Sequence, residues 1–239
     1  MFESITMEVV IALFTLIAME TVLGIDNIVF ISILVGRLPE EKREKIRKLG
    51  ISLALVMRLG LLFSISWIMG LTEPLLEIMG KSFSGRDLIL LFGGAFLLAK
   101  STFEIHHKVV GSAEEEIQQM TGAASKYILL QIILLDIVFS LDSVITAVGM
   151  VEQVWIMIVA MLVSMIIMLV SAKAIGEFVE SHPTIKILAL SFLLLIGSML
   201  IMEGMGQHVS KGYIYFAMAF SLTVELLNMK YRKNKMKPQ

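Results

Sequence analysis

Seven stretches of this chain are almost free of charge and too long for anything but membrane helices. They are 9–35, 49–71, 87–103, 127–149, 153–172, 187–202 and 212–228. A helix crosses the hydrocarbon core with about 20 mostly apolar residues, whereas a barrel strand needs only about 9–11. Only helices and closed barrels satisfy every backbone polar group in lipid. The lengths favour helices, so the expected fold is an all-α membrane protein with seven transmembrane helices. The third and sixth windows are short and borrow polar flanks. Composition agrees: 57% of the 239 residues are hydrophobic and 17% charged. Soluble domains run at about 45–50% and about 25%, so a soluble enzyme is excluded. The first run starts near Val9, has no Lys or Arg before it, and exceeds a signal-peptide core. It is expected to stay as a span.

Basic residues set the orientation. Segment 36–48 carries Arg37, Lys42, Arg43, Lys45, Arg47 and Lys48, and the tail carries Lys230, Arg232, Lys233, Lys235 and Lys237. Segments 104–126 and 173–186 add Lys108, Lys126, Lys173 and Lys186. Seven spans put these four segments on one side, with only Lys81, Arg86 and Lys211 opposite. The 15 to 3 split places the amino terminus outside and the carboxyl terminus in the cytoplasm, in a plasma or inner membrane. Segment 104–126, with Glu114, Glu115 and Glu116, reads as a solvated linker with room for a short amphipathic helix. A net charge of −1 gives no attraction to nucleic acid, and the absence of cysteine removes thiolate chemistry. The 18 methionines are scattered through apolar runs and read as packing filler before thioether copper ligands. No phosphate-binding GxxxxGK[ST] motif is present, so ATP is not an evident driver.

Two motifs echo each other. Span one contains Glu20-Thr21-Val22-Leu23-Gly24-Ile25-Asp26-Asn27, and span four Asp136-Ile137-Val138-Phe139-Ser140-Leu141-Asp142-Ser143. Each is an acid, five residues, an aspartate and a small polar residue. Phe96-Leu97-Leu98 and Phe192-Leu193-Leu194 are a weaker echo. The pattern predicts an inverted 3+3 repeat plus one extra helix: repeat one over 9–103, linker 104–126, repeat two over 127–203 and the extra helix over 212–228. Secondary transporters built this way place their sites near the midplane between the copies.

Glu20, Asp26, Asp136 and Asp142 all fall inside spans. Each intramembrane charge costs about 2.5–3.5 kcal/mol on insertion scales, or roughly 10–14 kcal/mol for four. Protonation, a basic partner or a bound cation must offset this. Residues six apart on a helix differ by about 240° in direction, so Glu20 and Asp26 share a cavity only if the helix unwinds near Gly24. With Asn27, Ser143 and freed carbonyls, such a site is all oxygen. It suits Mn²⁺, Mg²⁺ or Ca²⁺ better than Zn²⁺ or Cu⁺. The plain alternative pairs the acids with Arg58 and Lys100, though two bases do not neutralise four acids.

Arg58 and other polar residues are candidates for a pathway or gate. Lys100 and Glu104, with His106, close span three; Lys100 can snorkel to water. Gln131 lies about a turn before Asp136, within reach of it or of a substrate. Glu203 ends span six, and Glu225 and Asn228 lie in span seven. His107, His182 and His208 read as ordinary loop residues.

The two acidic motifs, with Gly93-Gly94-Ala95-Phe96-Leu97-Leu98-Ala99-Lys100, Glu104-Ile105-His106, and Ile196-Gly197 through Glu203-Gly204, closely resemble the TerC family of integral membrane proteins. The resemblance covers essentially the whole chain. It implies a place in the superfamily of LysE-type exporters, with Mn²⁺ efflux as the best-supported role. The family name itself comes from tellurium resistance, and the family has links to calcium and pH response. It implies ion ligands at Glu20, Asp26, Asn27, Asp136, Asp142 and Ser143, and Mn²⁺ as transported substrate, with Ca²⁺ or another divalent ion as the variant. Longer members carry an appended soluble domain, which is not expected here.

Three functions fit the motifs. The first is a divalent-cation exporter, with exchange against protons as one form of it, and not an enzyme. The second is a metal-loading or membrane-assembly factor for secreted proteins, which uses the same site. The third is an intramembrane aspartyl protease, disfavoured because Leu23-Gly24-Ile25-Asp26 has only one glycine of a GxGD motif. The topology is directly testable. Reporter fusions at residues 40, 115, 178 and 236 should all read cytoplasm; opposite readings at 40 and 115 would break both the span count and the repeat.

Overall fold

The computed structural model describes residues 7–64, 69–78, 80–110, 122–151, 153–207 and 209–235. Among them are seven long helices: α1 (Met7–Val35), α2 (Glu40–Phe63), α3 (Gly85–Val110), α4 (Gly122–Met150), α5 (Val154–Ser181), α6 (Pro183–Gly204) and α7 (Lys211–Lys235). The shortest has 22 residues and the longest 29. At about 1.5 Å per residue all exceed a hydrocarbon core of about 30 Å. Six are long and apolar enough to span a membrane. The exception, α2, opens on the charged run Glu40-Glu41-Lys42-Arg43-Glu44-Lys45. The all-α membrane class holds.

The loops are shorter than the windows implied. Segment 36–48 is largely the first turns of α2. Segment 173–186 is helical apart from His182, which caps α6 ahead of Pro183. Proline fits there because its missing N–H belongs to the unbonded first turn. Charged residues at helix ends reach water without leaving helical geometry, which is why hydropathy windows undercount them. In 104–126, α3 continues to Val110 and α4 begins at Gly122. The amphipathic helix expected between them lies outside the described residues, as do Glu114 to Glu116, His208 and Lys237.

A two-stranded hairpin, not expected from the hydropathy pattern, follows α2. Strand β1 (Pro74–Ile78) pairs antiparallel with β2 (Lys81–Ser84), with Leu76 opposite Phe83 and Ile78 opposite Lys81. The turn uses Gly80 at φ 76°, where a side chain would be strained. The Arg86 N–H then donates to the Leu71 carbonyl at 3.0 Å, fixing the start of α3.

The chain divides into two compact units. One holds α1, α2, the hairpin with Arg86, α4 and α5; the other holds α3 beyond Arg86, α6 and α7. In the first, α2 packs along α4 and both touch α1. Gly50 lets this happen, since a Cβ there would lie 3.1 Å from the Ile132 side chain. In the second, a Cβ on Gly94 would lie 2.6 Å from the Gly197 carbonyl oxygen, and one on Gly204 would lie 2.7 Å from that of Asp87. Helices α3 and α6 therefore meet backbone to backbone, as small residues allow in lipid. Helix α7 packs on α6 and buries no residue fully.

Candidate ion-binding site

On α1, Glu20 and Asn27 are seven residues apart, about two turns, and so share a face. Both are buried, at 4% and 9% exposure. On α4, Asp136 and Ser140 share a face by the same periodicity and are also buried. These faces meet at Arg58, which α2 delivers and which is 1% exposed. Its Nη1 donates to Glu20 Oε2 at 2.9 Å, its Nη2 to Asp136 Oδ1 at 2.9 Å, and its Nε to the same oxygen at 3.2 Å. Asn27 Nδ2 also donates to Asp136 Oδ1, at 3.3 Å, and the Ser140 hydroxyl to Oδ2 at 3.2 Å. One residue from each acidic motif is thus joined by a permanently charged guanidinium.

The second acid of each motif behaves differently. Asp142 Oδ1 accepts from Arg86 Nη2 at 2.7 Å; the side chains are 7% and 15% exposed. Asp26 is half-buried and makes no hydrogen bond or ion pair among the described residues. The reason is helical geometry, which turns Asp26 and Asp142 about 240° from Glu20 and Asp136. The expected unwinding near Gly24 does not occur: α1 is continuous from Met7 to Val35. Gly24 serves packing instead, because a Cβ there would collide with Met168 Sδ. Ser143 donates to the Ser140 carbonyl at 3.3 Å, within its own helix. Among the described residues, no three His, Asp or Glu side chains are grouped as a metal would need.

Two further sets of contacts lie along the first unit. Toward the start of α1 lies an apolar cluster that includes Leu16, Leu62, Val144, Ile156, Met157 and Met161. Glu20 is the polar member of a small cavity against it. Toward the end of α1, Arg43 pairs with Glu180 at 3.3 Å and Arg47 with Glu44 at 3.0 Å. Gly176 makes room there: a Cβ would lie 2.8 Å from Ser32 Oγ and 3.2 Å from Arg47 Nη2.

Lys100 pairs with Glu104 at 2.9 Å on α3. Gln131 is buried but not bonded to Asp136; five residues put it on another face. Glu203 ends α6. Glu225 lies on α7 with Oε1 buried and unbonded among the described residues. Sequence reasoning missed Arg86 as a partner and counted it with the outer loop charges. An arginine one residue past the hairpin looks like any interfacial base until the fold brings it to Asp142.

The model of the integral membrane protein TerC family matches residues 5–238. The chain belongs to the TerC family. A Haemophilus influenzae relative, named UPF0053 protein, is 52% identical over 226 residues, covering 95% of each chain. The UPF0053 inner membrane protein YgdQ of Escherichia coli K12 is 51% identical over 221 residues, 91% of each. The inner membrane protein YoaE of the same strain is 50% identical over 222 residues, 93% of this chain and 43% of YoaE. No solved structure matches this TerC chain.

Asp136 is the hub of the cluster, with four hydrogen bonds. Removing one partner of a buried pair costs about 3–5 kcal/mol. Asp136→Ala should therefore lower the thermal midpoint in detergent far more than Asp142→Ala, whose partner Arg86 is less deeply buried than Arg58. Equal shifts would deny Asp136 this role.

Proposed function

We propose that this TerC protein is a divalent-cation transporter that exports Mn²⁺ from the cytoplasm through the acids of α1 and α4. One observation carries the reading: among the described residues, Glu20 and Asp136 share Arg58, Asp142 meets Arg86 and Asp26 meets no base, so the four carboxylates outnumber these arginines by two charges. A divalent cation supplies that charge. Asp26, which makes no hydrogen bond or ion pair among the described residues, is the open carboxylate of the first motif and offers the ion a further ligand on its path, about 240° round α1 from Glu20. Carboxylate, amide and hydroxyl oxygens favour Mn²⁺, Mg²⁺ or Ca²⁺ over Cu⁺, and the family resemblance supports Mn²⁺ among these. The inverted repeat and the outward amino terminus belong to the same proposal. Together they would let the two motifs enter from opposite faces. A protease dyad would need two adjacent carboxyls; Asp142 holds Arg86 instead.

Uptake into inverted vesicles tests this, with Mn²⁺, Mg²⁺, Ca²⁺ and Zn²⁺ each supplied with and without a pH gradient. Mn²⁺ should be taken up in preference to Zn²⁺. Asp26→Asn should reduce Mn²⁺ uptake about tenfold or more, since removing one ligand charge in a dry site costs several kcal/mol. Glu225→Gln should do less. A normally expressed Asp26→Asn protein that transports like the parent would sink the assignment.

A further inference from the structure

We propose that Arg58 is a tethered cation: its guanidinium holds the substrate's place between Glu20 and Asp136 in the empty carrier and allows that carrier to reorient. This rests on the transport reading above. The guanidinium touches one acid of each motif, at 2.9 Å from Glu20 Oε2 and 2.9 Å from Asp136 Oδ1. It sits where the two motifs converge. It comes from neither motif, being the tip of a long side chain on α2. It can therefore withdraw while Glu20 and Asp136 stay on their own helices.

Charge explains what this accomplishes. A carrier must return empty, and a return with two bare carboxylates in the membrane is costly. Most carriers solve this with a counter-ion. Here the chain carries its own, one that stays protonated at any working pH. The same group sets a valence threshold. A monovalent ion brings no more charge than the guanidinium it would displace, and it cannot match the three hydrogen bonds that Arg58 makes to the two acids. A divalent ion brings twice the charge. The site thus selects divalent over monovalent cations and returns without an obligatory partner ion.

The test uses the full chain in proteoliposomes loaded with Mn²⁺, with the membrane potential clamped by potassium and valinomycin. The unaltered protein should show net efflux into metal-free medium at a rate similar to exchange against external Mn²⁺, and excess Na⁺ should not slow either. Arg58→Gln should slow net efflux about tenfold or more relative to exchange in the same preparation, because the empty state then buries uncompensated carboxylates. An unaltered protein that only exchanges would overturn the proposal. So would a monodisperse Arg58→Gln protein in which both modes fall together or neither falls. If Arg58→Gln is not recovered folded, Arg58→Lys decides. It keeps the charge without the planar fork, so it should keep net efflux and become sensitive to Na⁺; unchanged Na⁺ resistance overturns the proposal. No Mn²⁺ movement in either mode by the unaltered protein would instead overturn the transport reading itself.

Discussion

A buried guanidinium held between two carboxylates from different helices is the interaction on which the first unit depends. Arg58, Glu20 and Asp136 are each at most 4% exposed, so none of the three charges is well solvated. Each is tolerable only because the others are present, and breaking such a set costs about 3–5 kcal/mol. Three helices are thereby fixed in register, since a shift of one turn, about 5.4 Å, would separate the partners. Asn27 and Ser140 fill further bonding positions on Asp136, which leaves this carboxylate far less free than Asp26.

The helices around this cluster are shaped by where side chains are missing. Gly24 admits Met168, Gly50 admits Ile132, and Gly176 admits Ser32 and Arg47. Lipid offers no hydrophobic drive for helices to associate, so close packing and polar contacts must hold them together. Apolar side chains lie toward one end of the acids and the ion pairs of Arg43 and Arg47 toward the other.

Much of this was legible in the sequence for physical reasons. Charge-free runs of about 20 residues suit membrane helices and are too long for barrel strands, so the helices were predictable. Intramembrane acids are costly, so Glu20, Asp26, Asp136 and Asp142 stood out as needing an explanation. Arg58 was recognisable as a deep base, but its bridging of two acids was not. Which acid a base meets depends on how helices rotate against one another, and that is decided by distant glycines. The same limit hid the Arg86–Asp142 pair. The hairpin was hidden because Pro74 to Ser84 is short and partly polar, with no periodicity to separate it from a loop. The expected break at Gly24 misread a glycine needed for packing as one needed for backbone freedom.

The central claim is that the membrane acids outnumber their arginines in order to receive a divalent cation. Direct Mn²⁺ binding tests it most simply. Purified protein in lipid nanodiscs would be titrated with Mn²⁺ and the free ion followed by electron paramagnetic resonance. Saturable binding that Asp26→Asn abolishes, and that excess Na⁺ leaves intact, is the expected result. Absence of saturable binding, or binding that Asp26→Asn leaves unchanged, would mean that these carboxylates serve only to hold the helices together.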